Sequence, residues 1–209
     1  MHRQPLLTLL DRYEAIHPRE TPMIARVRAL VAARSDCFDR TCLPGHITGS
    51  AWIVSADGQR HLLVHHRKLN RWLQPGGHAD GQTDVAAAAL REAVEETGLT
   101  SLRFADVASL LALRASDDIP LPFDVDVHLI PERRSAAGEL IDSAHEHHDI
   151  RFLLIAPSDE AIRVSDESHD VRWFTPEEIE RLDTDESVLR MLRKVERKSG
   201  KRKAESGEV

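Results

Sequence analysis

The sequence predicts an α/β fold in which a mixed β-sheet is covered by helices. Three observations predict it: short strand-like runs alternate with helical ones, the strongest helix lies mid-chain between strands, and strand patterning returns before a last helix. Its 209 residues suffice for one such domain with a modest extension.

The first forty residues read as helical. Leu6, Leu7, Leu9 and Leu10 open one amphipathic segment that breaks near His17-Pro18. A second runs from about Thr21 to Arg34, striped by Ile24, Val27, Ala29, Leu30 and Val31. Thr21-Pro22 suits a helix start, with the threonine as cap and proline in the first turn. Residues 1–43 are therefore expected to form a helical extension packed on the main domain.

Strand character begins after Pro44-Gly45. Ile47 to Val54 and His61 to His65 are two strands, with Ala56-Asp57-Gly58 as the turn between them. Asp84 to Thr97 is an alanine-rich helix ended by Gly98, the favoured residue just past a helix C-terminus. Phe104 to Leu113, Phe123 to Ile130, Asp149 to Ile155 and Val171 to Phe174 are further strands. In the second of these, Val125, Val127 and Leu129 alternate with Asp124, Asp126 and His128, a period of two. Thr175-Pro176-Glu177-Glu178 opens a C-terminal helix. The main domain is bounded at 44–192, and residues 193–209 form a charged tail, disordered after about Lys198.

Composition narrows the function. At 41% hydrophobic and 30% charged the chain reads as globular. A net charge of −7 with no long basic face argues against a nucleic-acid polymer as partner. No stretch approaches the ~20 apolar residues of a membrane span, and no signal peptide is evident, so a cytoplasmic location without membrane contact is expected. Cys37 and Cys42 are too few for a disulfide framework or a four-ligand zinc site and read as free thiols.

The chemistry concentrates between Gly76 and Leu99. Gly76-Gly77-His78-Ala79-Asp80-Gly81 leads into the helix bearing Arg91-Glu92-Ala93-Val94-Glu95-Glu96-Thr97-Gly98-Leu99. With Glu92 at zero on a helical wheel, Glu95 falls at about 300° and Glu96 at about 40°, so three acids share one sector. Ala86, Leu90, Ala93, Val94 and Thr97 fall on the opposite side, which predicts an apolar face in the core and the acids aimed away from it. Like charges at these spacings cost ~0.2–0.5 kcal/mol per pair, and Arg91 alone stands near to offset them. A solvated acidic face would tolerate that cost. Hard oxygen donors beside a double-glycine loop suit Mg²⁺ or Mn²⁺.

The segment Gly77 to Leu99 resembles the Nudix box, Gly-x5-Glu-x7-Arg-Glu-U-x-Glu-Glu-x-Gly-U, with U a bulky apolar residue. Gly77, Arg91, Glu92, Glu95, Glu96, Gly98 and Leu99 match at the motif spacing. Ala93 is smaller than usual, and Thr83 stands where the first motif glutamate falls. That glutamate supports the motif arginine in the family, and Asp80 or Asp84 is the nearest carboxylate able to replace it. The surrounding strands and C-terminal helix fit the family over roughly residues 45–190.

The resemblance implies the Nudix α/β/α sandwich and Mg²⁺- or Mn²⁺-dependent pyrophosphate hydrolysis of a small nucleotide-type diphosphate, in a family where dimers are common. It implies metal ligation by Glu95 and Glu96 with a backbone carbonyl of Gly76 or Gly77, a metal or water-activating role for Glu92, and orientation of the carboxylates by Arg91. Glu167, six residues before Trp173, resembles the late metal-binding glutamate of MutT-type members, with Asp166 and Asp170 as neighbouring alternatives. The alternative function is a catalytically inactive nucleotide sensor on the same fold, which the Thr83 departure keeps open.

Two basic clusters are candidate substrate contacts. His65, His66, Arg67, Lys68 and Arg71 precede Trp72 and the glycines, where a strand end meets phosphates or simply water. His145 and His147 alternate in His145-Glu146-His147-His148-Asp149 and point the same way if the strand begins early, giving a two-histidine metal or phosphate contact; an exposed loop explains them too. His78 directly follows the glycines.

Overall fold

A computed structural model describes residues 2–107, 120–157 and 160–198. Helices α1 (Gln4–Ile16) and α2 (Thr21–Ala33), separated by a 3₁₀ turn at Pro18–Glu20, come first. They are followed by β1 (Gly45–Ser55), β2 (His61–His66), β3 (Arg71–Leu73), β4 (Gly76–His78), α3 (Val85–Thr97), β5 (Arg103–Phe104) and β6 (Asp124–Ile130). A ribbon of β7 (Arg133–Arg134) and β8 (Leu140–Asp142) leads to β9 (His145–Ala156) and β10 (Ser168–Phe174). Helices α4 (Pro176–Ile179) and α5 (Glu186–Lys198) close the described chain.

The main sheet runs β10-β2-β1-β9-β5, with β3 on β2, β4 on β1 and β6 on β9. Its centre is the parallel pair β1 and β9, in register from Gly45 opposite Glu146 to Ser55 opposite Ala156. The other ladders are antiparallel, so the sheet is mixed. Side chains alternate across it. One face sets Ile47, Ile150 and Phe152 against Val85, Ala86 and Ala89 of α3 and against Leu6, Leu10, Ile24 and Val27 of the N-terminal helices. The other sets Trp52, Val54, Leu63 and Leu153 against Ile179, Val188, Met191, Leu192 and Val195. Helices thus cover both faces, the expected α/β/α sandwich, and the N-terminal helices share its core.

Local chemistry explains the boundaries of α3. Asp84 takes the N-cap and accepts a 3.1 Å hydrogen bond from the Ala87 amide, and Gly98 closes the helix at φ 72°, its amide reaching the Val94 carbonyl.

Two expectations change. Thr21 is the first helical residue rather than the cap; its hydroxyl turns back to the Pro18 carbonyl at 2.9 Å because the 3₁₀ turn feeds directly into α2. The capping box of Thr175 and Glu178 opens only the four-residue α4, and α5 starts afresh at Glu186. That second helix runs to Lys198, with Val195 buried. Asp124 and Asp126 of β6 are buried beneath α5. Of the strand expected at Phe104 to Leu113, residues 108–113 lie outside the described residues, as does the tail from 199. Cys37 and Cys42 are free and buried. No helix among the described residues is long and apolar enough to cross a membrane.

Candidate active site

The carboxylate helix and the glycine strand meet on the α3 face of the sheet. Strand β4 pairs with β1, placing Gly77 opposite Gly49 and Gly76 opposite Ser50. A methyl group on Gly77 would come 2.3 Å from a Glu92 carboxylate oxygen, and one on Gly49 would come 2.9 Å from the Val85 carbonyl. Glycine lets the backbone approach this closely. The helix therefore lies against bare main chain, and its acids meet peptide groups.

That contact corrects the helical wheel. Glu95 is exposed, but Glu92 is half-buried and Glu96 is only 5% exposed. The Glu96 carboxylate accepts a 2.8 Å hydrogen bond from the Gly76 amide. Burial drives its pKa up to about 7 against the pull of that amide, with Glu92, Glu167 and Glu95 adding repulsion. Burial also raises Glu92, opposed by Arg91 and reinforced by Glu95 and Glu167.

Arg91 joins helix and strand. Its guanidinium lies 2.7 Å from Glu92 and 3.5 Å from Glu95, and donates to the His78 carbonyl at 2.9 Å. These partners do without the glutamate that Thr83 replaces. Asp84 is occupied as the cap of α3, so it is not the substitute.

Glu167 sits just before β10, where its carbonyl accepts from the Arg67 amide at 3.0 Å. Its charge reaches Glu92, Glu96, His66 and His78. Asp170 pairs instead with Arg172. The Arg67 guanidinium donates to the Ser168 carbonyl at 3.2 Å, and Arg71 faces Asp183 at 3.8 Å, so these two arginines diverge. Glu92 and Glu95 thus flank Arg91, Glu96 lies at the Gly76 amide and Glu167 precedes β10, and oxygen donors of this kind suit a hard divalent cation.

A family model described as the NUDIX domain matches residues 46–195. The chain belongs to the Nudix family. A curated relative, "Nucleoside diphosphate-linked moiety X motif 6" of Xenopus laevis, is 36% identical over 87 residues, covering 39% of this chain and 38% of the relative. This Nudix chain thus matches well under half of that relative's length. Among solved structures, a Nudix-family hydrolase from Clostridium perfringens aligns at 22% identity and TM-score 0.49, over 72% of this chain and 95% of that one. An Ap4A hydrolase from C. elegans aligns at 17% and 0.47, over 71% and 93%.

The opposite face of β4 holds a second cluster. His78 lies opposite Thr48 and so faces the α5 side. There His145 and His147 share a face of β9, which begins early enough to align them, and His46 of β1 stands beside His147 across the parallel ladder. Ring centroids are 5.0 Å apart for His46 and His145, 4.8 Å for His46 and His147, and 5.1 Å for His46 and His78. Burial holds His46 down at about 4 and His147 far below the usual imidazole range, and neighbouring imidazoles oppose protonation further.

Next along the same row lies a buried ionic network. Asp149 accepts from Thr48 and Ser50 at 3.0 and 2.8 Å and pairs with Arg151 at 2.7 Å. Arg151 also reaches Asp124 and Asp126, which Arg190 of α5 holds from the other side. Sequence reading missed His46 and this network, because His46 needs the β1–β9 register to become visible and the network needs the β6–β9 register and α5 as well. A separate concavity lined by Ser55, Asp57, Arg60, Glu160 and Trp173 contains none of these residues.

Proposed function

We propose that this Nudix protein is a Mg²⁺- or Mn²⁺-dependent pyrophosphohydrolase acting on a nucleoside diphosphate linked to a second group. The observation that carries the reading is Glu96, a nearly buried carboxyl held at the Gly76 amide among three other acids. A core residue would be expected to be apolar or paired with a cation, and burying this acid costs stability unless a positive ion shares the site. The name of the Xenopus laevis relative accords with the substrate class.

Glu92, Glu95, Glu96, Glu167 and the Gly76 carbonyl would hold the metal. When bound, it neutralises charge on phosphoryl oxygens and lowers the pKa of water. The chain's own residues prepare the rest. Glu92, raised by burial yet adjacent to Arg91, is able to take and hold a proton at its carboxylate. Arg91 fixes Glu92 and Glu95 relative to the glycine strand through the His78 carbonyl. Arg67, whose amide meets the Glu167 carbonyl, offers a group to the substrate's phosphates, whereas Arg71 turns to Asp183 and the His78 ring lies across β4 from the acids.

The test is Glu95→Gln, assayed against nucleoside diphosphate derivatives with Mg²⁺ and Mn²⁺ and with all phosphorus-containing products followed. A loss of at least ~100-fold in turnover in a folded protein is expected, the scale of removing a key electrostatic element. Unchanged turnover overturns the reading. A wild-type protein that binds nucleotides without releasing phosphate or a monophosphate would be a sensor; against that reading, Arg91 keeps its partners despite Thr83.

A further inference from the structure

We infer that His46, His145 and His147 form a second cation site, built for a nitrogen-preferring transition metal ion of the Zn²⁺ class and separate from the carboxylate set. One ligand atom from each of the three histidines lies within 4.8 Å of those of the others.

The platform is rigid and the rings are placed by register. His145 and His147 are two residues apart on β9, and His46 is the parallel-ladder neighbour of His147. All three project to one side of two central strands.

The hydrogen bonding leaves lone pairs where an ion would sit. His145 Nδ1 lies 2.7 Å from the Ser143 carbonyl. A carbonyl only accepts, so Nδ1 carries the proton and Nε2 of the neutral ring is a bare lone pair. That Nε2 faces His147 Nε2 at 3.3 Å. Metal–nitrogen bonds of about 2.0–2.1 Å at a tetrahedral angle put ligand nitrogens about 3.3–3.4 Å apart, so the pair already has the spacing of two ligands on one ion. The Ser143 contact is the outer-sphere bond that commonly orients a ligating imidazole.

His46 supplies the independent observation. It is 1% exposed, yet neither ring nitrogen makes a hydrogen bond of good geometry. The Cys42 backbone lies near enough to favour its protonation slightly, but does not satisfy it. A buried imidazole without a partner is costly. One proton shared between His145 and His147 would leave His46 unsatisfied, whereas one ion serves all three.

The chemistry separates this site from the other. Imidazole suits Zn²⁺, Co²⁺, Ni²⁺ or Cu²⁺, whereas Mg²⁺ prefers oxygen. Strand β4 divides the two, with Gly77 toward Glu92 and His78 toward His46. His78 closes one side, and His128, its Nδ1 held by Asp126 at 3.1 Å, lies across from His147.

Co²⁺ titrated into the chelator-treated full chain under saturating Mg²⁺ tests the proposal, read by visible absorption. One equivalent is expected to develop the intense bands of tetrahedral coordination, and Zn²⁺ should abolish them. His145→Asn, at a half-buried position, should weaken Co²⁺ binding at least tenfold while far-ultraviolet dichroism stays unchanged. His46→Asn should do the same; if that variant unfolds, His145→Asn decides alone. The double variant Glu95→Gln with Glu96→Gln should keep the spectrum. Absence of such bands in the wild type, their persistence in His145→Asn, or their loss in the double glutamate variant would each overturn the assignment.

Discussion

The Gly76 amide donates a 2.8 Å hydrogen bond to the Glu96 carboxylate, joining the glycine strand to the last turn of the acidic helix. The bond holds the acid in place without fully offsetting its burial, which raises its pKa from an ordinary 4.5 to about 7. Between those values the folded chain retains a proton that the unfolded chain has released. Stability therefore falls as pH rises through that window. At 1.36 kcal/mol per pKa unit the loss is on the order of 3 kcal/mol in metal-free protein. Glu96→Gln keeps an acceptor for Gly76 and should remove this slope. Urea denaturation with chelator at pH 5 and pH 8 measures it; equal pH dependence in wild type and variant would rule it out.

The two site glycines should fail differently. A Cβ on Gly77 meets the movable tip of Glu92 at 2.3 Å, whereas one on Gly76 meets Ser50 Cβ at 2.2 Å and its Cα at 2.7 Å. Gly77→Ala should fold normally and lose turnover by pushing the Glu92 carboxylate aside. Gly76→Ala should lower the melting temperature by spreading β4 from β1. Comparing melting curves with turnover in both variants checks this, and the reverse pattern refutes it.

Asp84→Ala removes the side-chain acceptor for the Ala87 amide. The expected cost is about 1 kcal/mol, from the loss of a helix cap. Chemical denaturation reads it, and no measurable change would deny Asp84 a role in starting α3.

Lys194 ties the two ends of the chain together. Its ammonium lies 2.8 Å from the Tyr13 hydroxyl and 2.7 Å from Glu20, and also contacts buried Asp124. Lys194→Met should cost about 1–3 kcal/mol, because Glu20 and Tyr13 lose a charged partner while Asp124 keeps Arg151 and Arg190. The double variant with Tyr13→Phe should cost less than the sum of the singles, since the two residues share one network. Strict additivity in a denaturation cycle would show that the pair is uncoupled.

Much of this was legible in the sequence where the signal is local. Asp84 and Gly98 bracket α3 within fifteen residues, and the acid spacing needs only helical geometry to share one sector. The longer strands β1, β2, β6, β9 and β10 were recognisable from their apolar runs, whereas the short β3, β4, β7 and β8 carry no such run. What stayed hidden depends on distant neighbours. Asp124 and Asp126 alternate with valines like a wetted strand face, and only the approach of Arg151 and Arg190 makes their burial tolerable. His46 looks like a strand-edge histidine until β9 brings His147 alongside. The burial of Glu96 depends on β4 crossing the helix, which the angular position of the acid alone does not reveal.

The long parallel ladder between β1 and β9 sets the order in which this molecule can assemble. Its partners lie about a hundred residues apart in the chain, and the hairpin of β1 with β2 forms without waiting for them. Pairings of that sequence separation close slowly, because chain entropy is lost before contacts compensate. During synthesis the acidic helix therefore emerges from the ribosome well before the central strand beside it has its neighbour. Ser50 and Thr48 must wait with it for the carboxylate of Asp149 that receives their hydroxyls.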